Sequence, residues 1–128
     1  MPSTRWTPEE ERAVCTLYVS MIHVSESGER LNKAAMIRTA RAGRLMERSR
    51  GSIEYKLMNC TTWALKLGLP VVVGYAPYGN AAGSLGALLS QAFKDQGQMM
   101  EAIEEAATAP LKALNNLTEY AEHLPSKS

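Results

Sequence analysis

The chain is poor in cysteine, histidine and aromatic residues. Its 128 residues include two Cys, two His and one Phe, and aromatic residues make up 6% of the composition. Two thiols, Cys15 and Cys60, are too few for a disulfide framework and fit small core residues in a reducing compartment. The Cys and His residues also lack the spacing of zinc ligands. We therefore expect no metal and no cofactor.

Long apolar runs and catalytic motifs are missing as well. The longest apolar run, LGLPVVVGYA at residues 67–76, is short and broken by Gly and Pro, so it excludes a membrane span. The polar N-terminus has no signal-peptide core, which predicts a cytoplasmic protein with no membrane partner. The sequence contains no HNH spacing, nucleophile elbow or paired acid motif. It therefore predicts a protein that is not an enzyme.

Charge is present but unevenly distributed. Residues 1–66 carry a net charge of +4 and residues 67–128 carry −3, while the window 30–66 alone reaches +7. This asymmetry favours contact between the first part of the chain and a polyanion. A solvated basic face is the alternative interpretation.

Three helices are predicted before residue 70. The first begins in WTPEEERAVC, where Thr7 and Glu10 form a Thr-x-x-Glu capping box, and HVSESGER at residues 23–30 is predicted to be a loop. The second runs from about residue 31 or 32 to residue 46. The third has Ser49 as its N-cap and Gly68 as its C-terminal stop, with a buried stripe that consists of Ile53, Leu57, Cys60, Ala64 and Leu67.

The rest of the chain is predicted to be a connector followed by helix. Val71 to Val73 form a short strand or an extended segment, and GYAPYGN at residues 74–80 favours turns. Apolar stripes over Leu85–Phe93 and Ile103–Leu124 indicate a helical tail, bent or restarted at Pro110. The expected fold is mainly α: a three-helix, helix-turn-helix-like core with a short extended segment and a C-terminal helical tail. Residues 1–80 form the module with its Gly/Pro connector, and residues 81–128 form the tail.

The third helix is the candidate binding element. In a helix-turn-helix plan its outward face reads DNA, and Ser, Lys, Asn and Thr are side chains that suit base edges and phosphates. Its first turn carries Arg50 against the helix dipole, and free N–H groups there favour an anion. The predicted DNA-binding residues are Arg44, Arg48, Arg50, Gly51, Ser52, Tyr55, Lys56, Asn59, Thr62 and Lys66.

Two stretches, RWTPEEERAVCTLY and ERSRGSIEYKL, resemble the first helix and the entry to the third helix of Myb/SANT-like domains. Residues 6–80 are also similar to a small helical module of bacterial restriction-type proteins, often joined to HNH nuclease or helicase domains. The shared residues are Trp6-Thr7, Asn32-Lys33, Arg48 through Asn59, Gly68-Leu69-Pro70 and Gly74 through Asn80. The resemblance implies a non-catalytic, DNA-engaging accessory module. Cys60-Thr-Thr-Trp63 and Ala76 depart from its pattern.

Two functions remain open at this point, beside a purely structural role as a helical filler or assembly subunit. One is a module that binds double-stranded DNA, as a homodimer paired through its C-terminal helices. The other is a protein-interaction module, for example a phage or host modulator that docks on a nucleic-acid enzyme. The DNA hypothesis requires that Arg48 and Arg50 are not neutralised by the chain's own carboxylates. If they are, a protein partner becomes the better hypothesis.

Overall fold

A computed structural model of the protein describes residues 5–79 and 82–122, with side chains as far as residue 110. Within these ranges the chain forms α1 (Pro8–Glu26), α2 (Lys33–Arg41), α3 (Arg50–Leu67) and α4 (Gly83–Glu122), and no strand. The prediction of a mainly helical fold is confirmed. None of these helices has a stretch long and apolar enough to cross a membrane.

Helix α1 begins as predicted and ends later than predicted. The Thr7 hydroxyl accepts a hydrogen bond from the Glu10 N–H, and the Glu10 carboxylate accepts one from the Thr7 N–H, which completes the capping box. The predicted loop at residues 23–30 is wrong for its first four residues, which are helical. After Pro8 at its first position the helix contains no Gly or Pro. It ends just before Gly28, whose φ of 83° turns the chain out of the helical conformation.

Helix α2 is shorter than predicted. Asn32 caps it by accepting a hydrogen bond from the Ala35 N–H, but the helix ends at Arg41 and not near residue 46. Residues 42–47 form irregular turns, in which the Leu45 N–H reaches back to the Ala40 carbonyl. This change of direction places Leu45 fully inside the core. It also leaves eight residues between α2 and α3, more than the three that the predicted helix bounds allowed.

Helix α3 has the predicted caps. The Ser49 hydroxyl accepts from the Ser52 N–H, and Gly68 ends the helix in the left-handed conformation. Four members of the predicted stripe, from Ile53 to Ala64, are buried, whereas Leu67 is exposed in the last turn. The inclusion of Leu67 in the core is therefore wrong.

The core forms where α1, α2 and α3 pack against one another. Its centre contains a polar chain: the Tyr18 hydroxyl is hydrogen-bonded to Thr61 Oγ1 at 2.8 Å and accepts from the Val72 N–H at 3.0 Å. Burial raises the pKa of Tyr18, so its phenol stays protonated. This network attaches the segment after α3 to the bundle, and residues 69–72 form neither helix nor strand.

The chain divides into two compact units, Met1–Gln96 and Gly97–Ser128. The structural boundary lies later than residue 80 because Leu85, Leu89 and Ala92 are buried in the core cluster of the first unit. In the second unit α4 continues through Pro110, and Ile103 is exposed. The predicted dimer stripe from Leu111 to Leu124 lies outside the described side chains.

Gly86 allows α4 to approach Trp63 closely. A Cβ added at Gly86 would lie 2.5 Å and 2.7 Å from Trp63 Cε3 and Cδ2, which is closer than van der Waals contact permits. Glycine is therefore required by the packing at this position.

We expect Gly86→Ala to lower the free energy of unfolding by about 1–3 kcal/mol, because the added methyl group overpacks the contact with Trp63. The matched control is Gly97→Ala, where a Cβ meets nothing within 4 Å and which should stabilise the helix by up to about 1 kcal/mol. Urea unfolding followed by circular dichroism measures both. Equal stability of the two variants would contradict the packing argument.

Candidate nucleic-acid interface on the third helix

Arg48 is buried and fully engaged within the chain. Its Nε and Nη2 atoms donate to the two carboxylate oxygens of Glu10, each at 2.7 Å, and Nη2 also donates to the Arg5 carbonyl. Arg48 is 8% exposed. The prediction that Arg48 faces outward toward a phosphate is therefore wrong. The capping glutamate of α1 binds it in a bidentate ion pair.

Trp6 completes this cluster. The Arg48 guanidinium lies 5.1 Å from the centre of the indole ring and the Lys56 ammonium lies 5.4 Å from it. The indole N–H donates to the Ser52 hydroxyl at 3.3 Å. Lys56 and Ser52, which were predicted to contact DNA, are thus half-buried members of an internal contact that joins α1 to α3.

The start of α3 is more open. Arg50 is exposed, but its Nε donates to the Glu54 carboxylate one turn later at 2.8 Å. Gly51 is exposed and has open space around its Cα. The Ser52 N–H donates to the Ser49 hydroxyl, and the cation that was expected to attract a phosphate already has an acidic partner. Exposed pairs of this kind are weak, so the neutralisation of Arg50 is partial.

The middle of the outer face of α3 is covered by the connector. The Asn59 side chain is 4% exposed and its Nδ2 donates to the Tyr78 carbonyl at 2.6 Å. The Thr62 hydroxyl accepts from the Tyr78 N–H at 3.0 Å. The prediction that Asn59 reads a base is wrong as to its placement, because the loop before residue 80 occupies both groups.

The remaining predicted residues are spread over the surface. Tyr55 is half exposed and packs edge-to-face against Tyr78, with ring centres 5.4 Å apart. Lys66 is exposed and lies over the Trp63 ring. Arg44 is exposed in the turn after α2. The structure therefore does not bring the ten predicted residues together into one free surface.

The residues that carry the sequence resemblance make internal contacts. Asn32 caps α2, and the Lys33 ammonium donates to the Val73 carbonyl and lies 4.5 Å from the centre of the Tyr75 ring. Together with the contacts of Trp6, Arg48 and Asn59, they attach the N-terminal segment and the connector to the three helices. These side chains explain the fold and give no information about a ligand.

Residues that the site prediction omitted form a different surface. Arg38 and Arg41 of α2 are exposed, and residues 30–46 contain five basic and no acidic residues. Beside them a groove of about 540 Å³ lies between α1 and α2. The sequence contains two signals for it. One is the absence of acidic residues from 30 to 46, and the other is a row of apolar or small residues at i, i+3, i+4 and i+7, which occurs once in α1 and once from Met36 to Gly43. Its walls are formed by Ala13, Thr16, Leu17, Ser20, Met36, Thr39, Ala40, Gly43, Arg44 and Leu45.

Comparison of the chain with protein-family models, curated proteins and solved structures found no match. The resemblance to Myb/SANT-like and restriction-associated modules therefore stays a prediction.

Glu10 links the stability of the fold to pH. Hydrogen bonds from Arg48 are the largest cause that lowers the pKa of Glu10 from 4.5 to about 2. A depressed carboxyl pKa stabilises the fold above the unfolded-state value, and this stability is lost as the pH falls from about 4.5 toward 2. The shift corresponds to stability on the order of 3 kcal/mol.

We expect Glu10→Gln to lower the free energy of unfolding at pH 7 by about 3 kcal/mol, because it leaves Arg48 buried without a counter-ion. The variant should also lose the decrease in stability that the wild type shows between pH 4.5 and pH 2. Urea unfolding at a series of pH values measures both effects. The matched control is Glu9→Gln, an exposed glutamate in the same turn, and an equal pH dependence in the two variants would argue against the ion pair.

We expect Asn59→Ala to act on stability, since it removes the hydrogen bond to the Tyr78 carbonyl. The free energy of unfolding should fall by about 1–2 kcal/mol, whereas Gln98→Ala, on an exposed part of α4, should leave it unchanged. Chemical denaturation checks the effect. Wild-type stability combined with altered selectivity among DNA duplexes would instead restore Asn59 as a base-reading residue.

Proposed function

We propose that the chain is a non-catalytic protein-interaction module that binds an acidic segment of a partner protein through the basic face of α2. This basic face is defined here as Arg38 and Arg41 of α2 together with Arg44 in the turn that follows the helix. All three residues are exposed, and the ion pairs formed among the described side chains use Arg48 and Arg50 instead.

The observation that carries the proposal is the contrast between the two sets of arginines. Arg48 is neutralised inside the fold and Arg50 is partly neutralised at the surface, each by a carboxylate of the chain itself. The sequence that surrounds the basic face of α2, from position 30 to position 46, contains no acidic residue. An acidic ligand therefore gains the most electrostatic attraction from the basic face of α2. Charge complementarity there steers the encounter between ligand and protein and makes the binding selective.

The kind of acidic ligand follows from what adjoins the arginines. Arg44 lies at the edge of the groove between α1 and α2, whose other walls are apolar or carry small hydroxyl groups. A protein segment can use charged and apolar contacts together. A phosphodiester backbone uses the charges alone, and Asn59 and Thr62 of α3, which were predicted to contact DNA, are bonded to the connector. A protein ligand is therefore better supported than DNA.

Binding of duplex DNA is the second candidate function, in the form of a helix-turn-helix module. It is favoured by the same run of five basic residues without an acidic one. On this hypothesis the contact is made to phosphates by the basic face of α2, without direct sequence readout. The neutral amides at the start of α3 would add a further phosphate contact.

The test compares a fluorescent acidic peptide with a fluorescent duplex in anisotropy titrations of the full chain. We expect the peptide to bind and Arg38→Glu with Arg44→Glu to reduce its affinity by about tenfold or more, because two attractive charges become repulsive. The control is Lys66→Glu with Lys94→Glu, which changes the net charge equally on exposed residues outside the basic face.

The salt dependence separates the two candidate functions. Duplex binding should weaken with a slope of about 0.9 in log affinity per phosphate contacted. Tight duplex binding that the α2 variant abolishes, with no binding of the acidic peptide, would replace the proposal by the DNA function. Equal losses of affinity in the α2 variant and in the control variant would contradict both candidate functions.

A further inference from the structure

The groove between α1 and α2 has the shape of a binding site for one additional helix. Its α1 wall is formed by Ala13, Thr16, Leu17 and Ser20, and its α2 wall by Met36, Thr39, Ala40 and Gly43. Both sets follow the spacing i, i+3, i+4, i+7. The α1 wall is therefore one face of a helix over about two turns, or about 10 Å, and the other wall follows α2 as far as Ala40 and continues to Gly43 in the turn after the helix. Ridges of a helix fit between two such rows of side chains.

The chemistry of the walls favours an apolar occupant. The Ser20 hydroxyl donates to the Thr16 carbonyl and the Thr39 hydroxyl donates to the Ala35 carbonyl, so both groups satisfy themselves on their own helices. Gln96 adds a hydrogen bond to the Thr16 carbonyl at the edge. The groove therefore presents methyl and methylene surface and few free polar groups, which is the surface that helix-in-groove recognition uses.

The open shape of the groove argues against a small molecule as its ligand. Leu17 and Leu45 are buried at its base, while Thr16, Thr39, Gly43 and Arg44 are exposed along its edges. Sites for small ligands enclose most of the ligand surface, whereas this groove is an open trough. Arg44 is the one ionisable side chain among the residues that form it. A fitting occupant thus has an apolar stripe and an acidic residue beside it.

We propose that this groove binds a single amphipathic helix of a partner protein, with its apolar stripe on Leu17, Met36 and Ala40 and an acidic side chain opposite Arg44. This inference rests on the proposed function and specifies the form of the acidic segment. The apolar stripe would provide most of the binding energy, and the acidic side chain opposite Arg44 would fix the orientation of the bound helix. The bound helix would lie along the outer side of the α1–α2 pair.

The experiment uses two fluorescent peptides of about 18 residues, or about five helical turns, with the same Leu and Glu content. One places the leucines at i, i+3, i+4 and i+7, and the other scatters them around the helix. We expect the full chain to bind the first about tenfold more tightly, the scale of one well-packed contact. In ¹H–¹⁵N spectra of the wild type, the amides of Ala13, Ala40 and Gly43 should shift most.

Two glycine variants give a matched pair. Gly43→Gln fills the groove without a clash in the fold, since a Cβ there has only the Ala40 carbonyl at 3.9 Å. It should reduce binding of the first peptide by about tenfold. Gly51→Gln adds the same side chain at an exposed position on α3 and should leave the affinity unchanged. Circular dichroism verifies that both variants fold.

The outcomes distinguish the two proposals. Equal binding of both peptides, with loss in the α2 charge variant, would overturn the helix groove and leave the proposed function standing. Binding of neither peptide would overturn both. Self-association of the full chain in sedimentation, abolished by Gly43→Gln, would make a second copy the occupant and overturn the assignment to a partner protein.

Discussion

The ion pair between Glu10 and Arg48 is the contact on which the arrangement of the helices depends. The same carboxylate caps α1 and binds the arginine that precedes α3, so one side chain fixes both helix entries. Trp6 covers the pair and reaches α3 through Ser52 and Lys56. A buried pair of this kind adds little net stability relative to apolar packing, but loss of either partner is severe. Its effect is to select one orientation of α1 against α3.

A second set of contacts keeps the connector in place. Tyr18 reaches Val72, Lys33 reaches Val73, and Asn59 reaches Tyr78. Each bond joins a helix to a backbone group of the segment from 72 to 78, which has no secondary structure of its own. Asn59, which was predicted to read a base, thus satisfies the polar backbone of this segment, as does Thr62. The middle of the predicted reading face is therefore an internal contact.

Local signals in the sequence predict local structure well. Thr7 with Glu10, Ser49 and Gly68 lie at the predicted helix ends because each cap involves residues within four positions. The buried stripes were predictable because helical periodicity separates core from surface. The internal hydrogen bonds of Arg48 and Asn59 were not predictable, since their partners lie 38 and 19 residues away in the sequence. A basic or amide side chain has the same appearance in a sequence whether its partner is a distant residue or a ligand.

The residues of the frame and the residues of the groove are separate sets. Trp6, Glu10, Arg48 and Asn59 form no part of the groove walls, and small side chains make up much of those walls. Thr16, Thr39 and Gly43 are exposed wall residues that belong to neither the ion pair nor the connector, whereas Leu17 and Leu45 are also core residues. Substitution of these exposed residues would change the shape of the groove and leave the contacts that orient α1 against α3 in place.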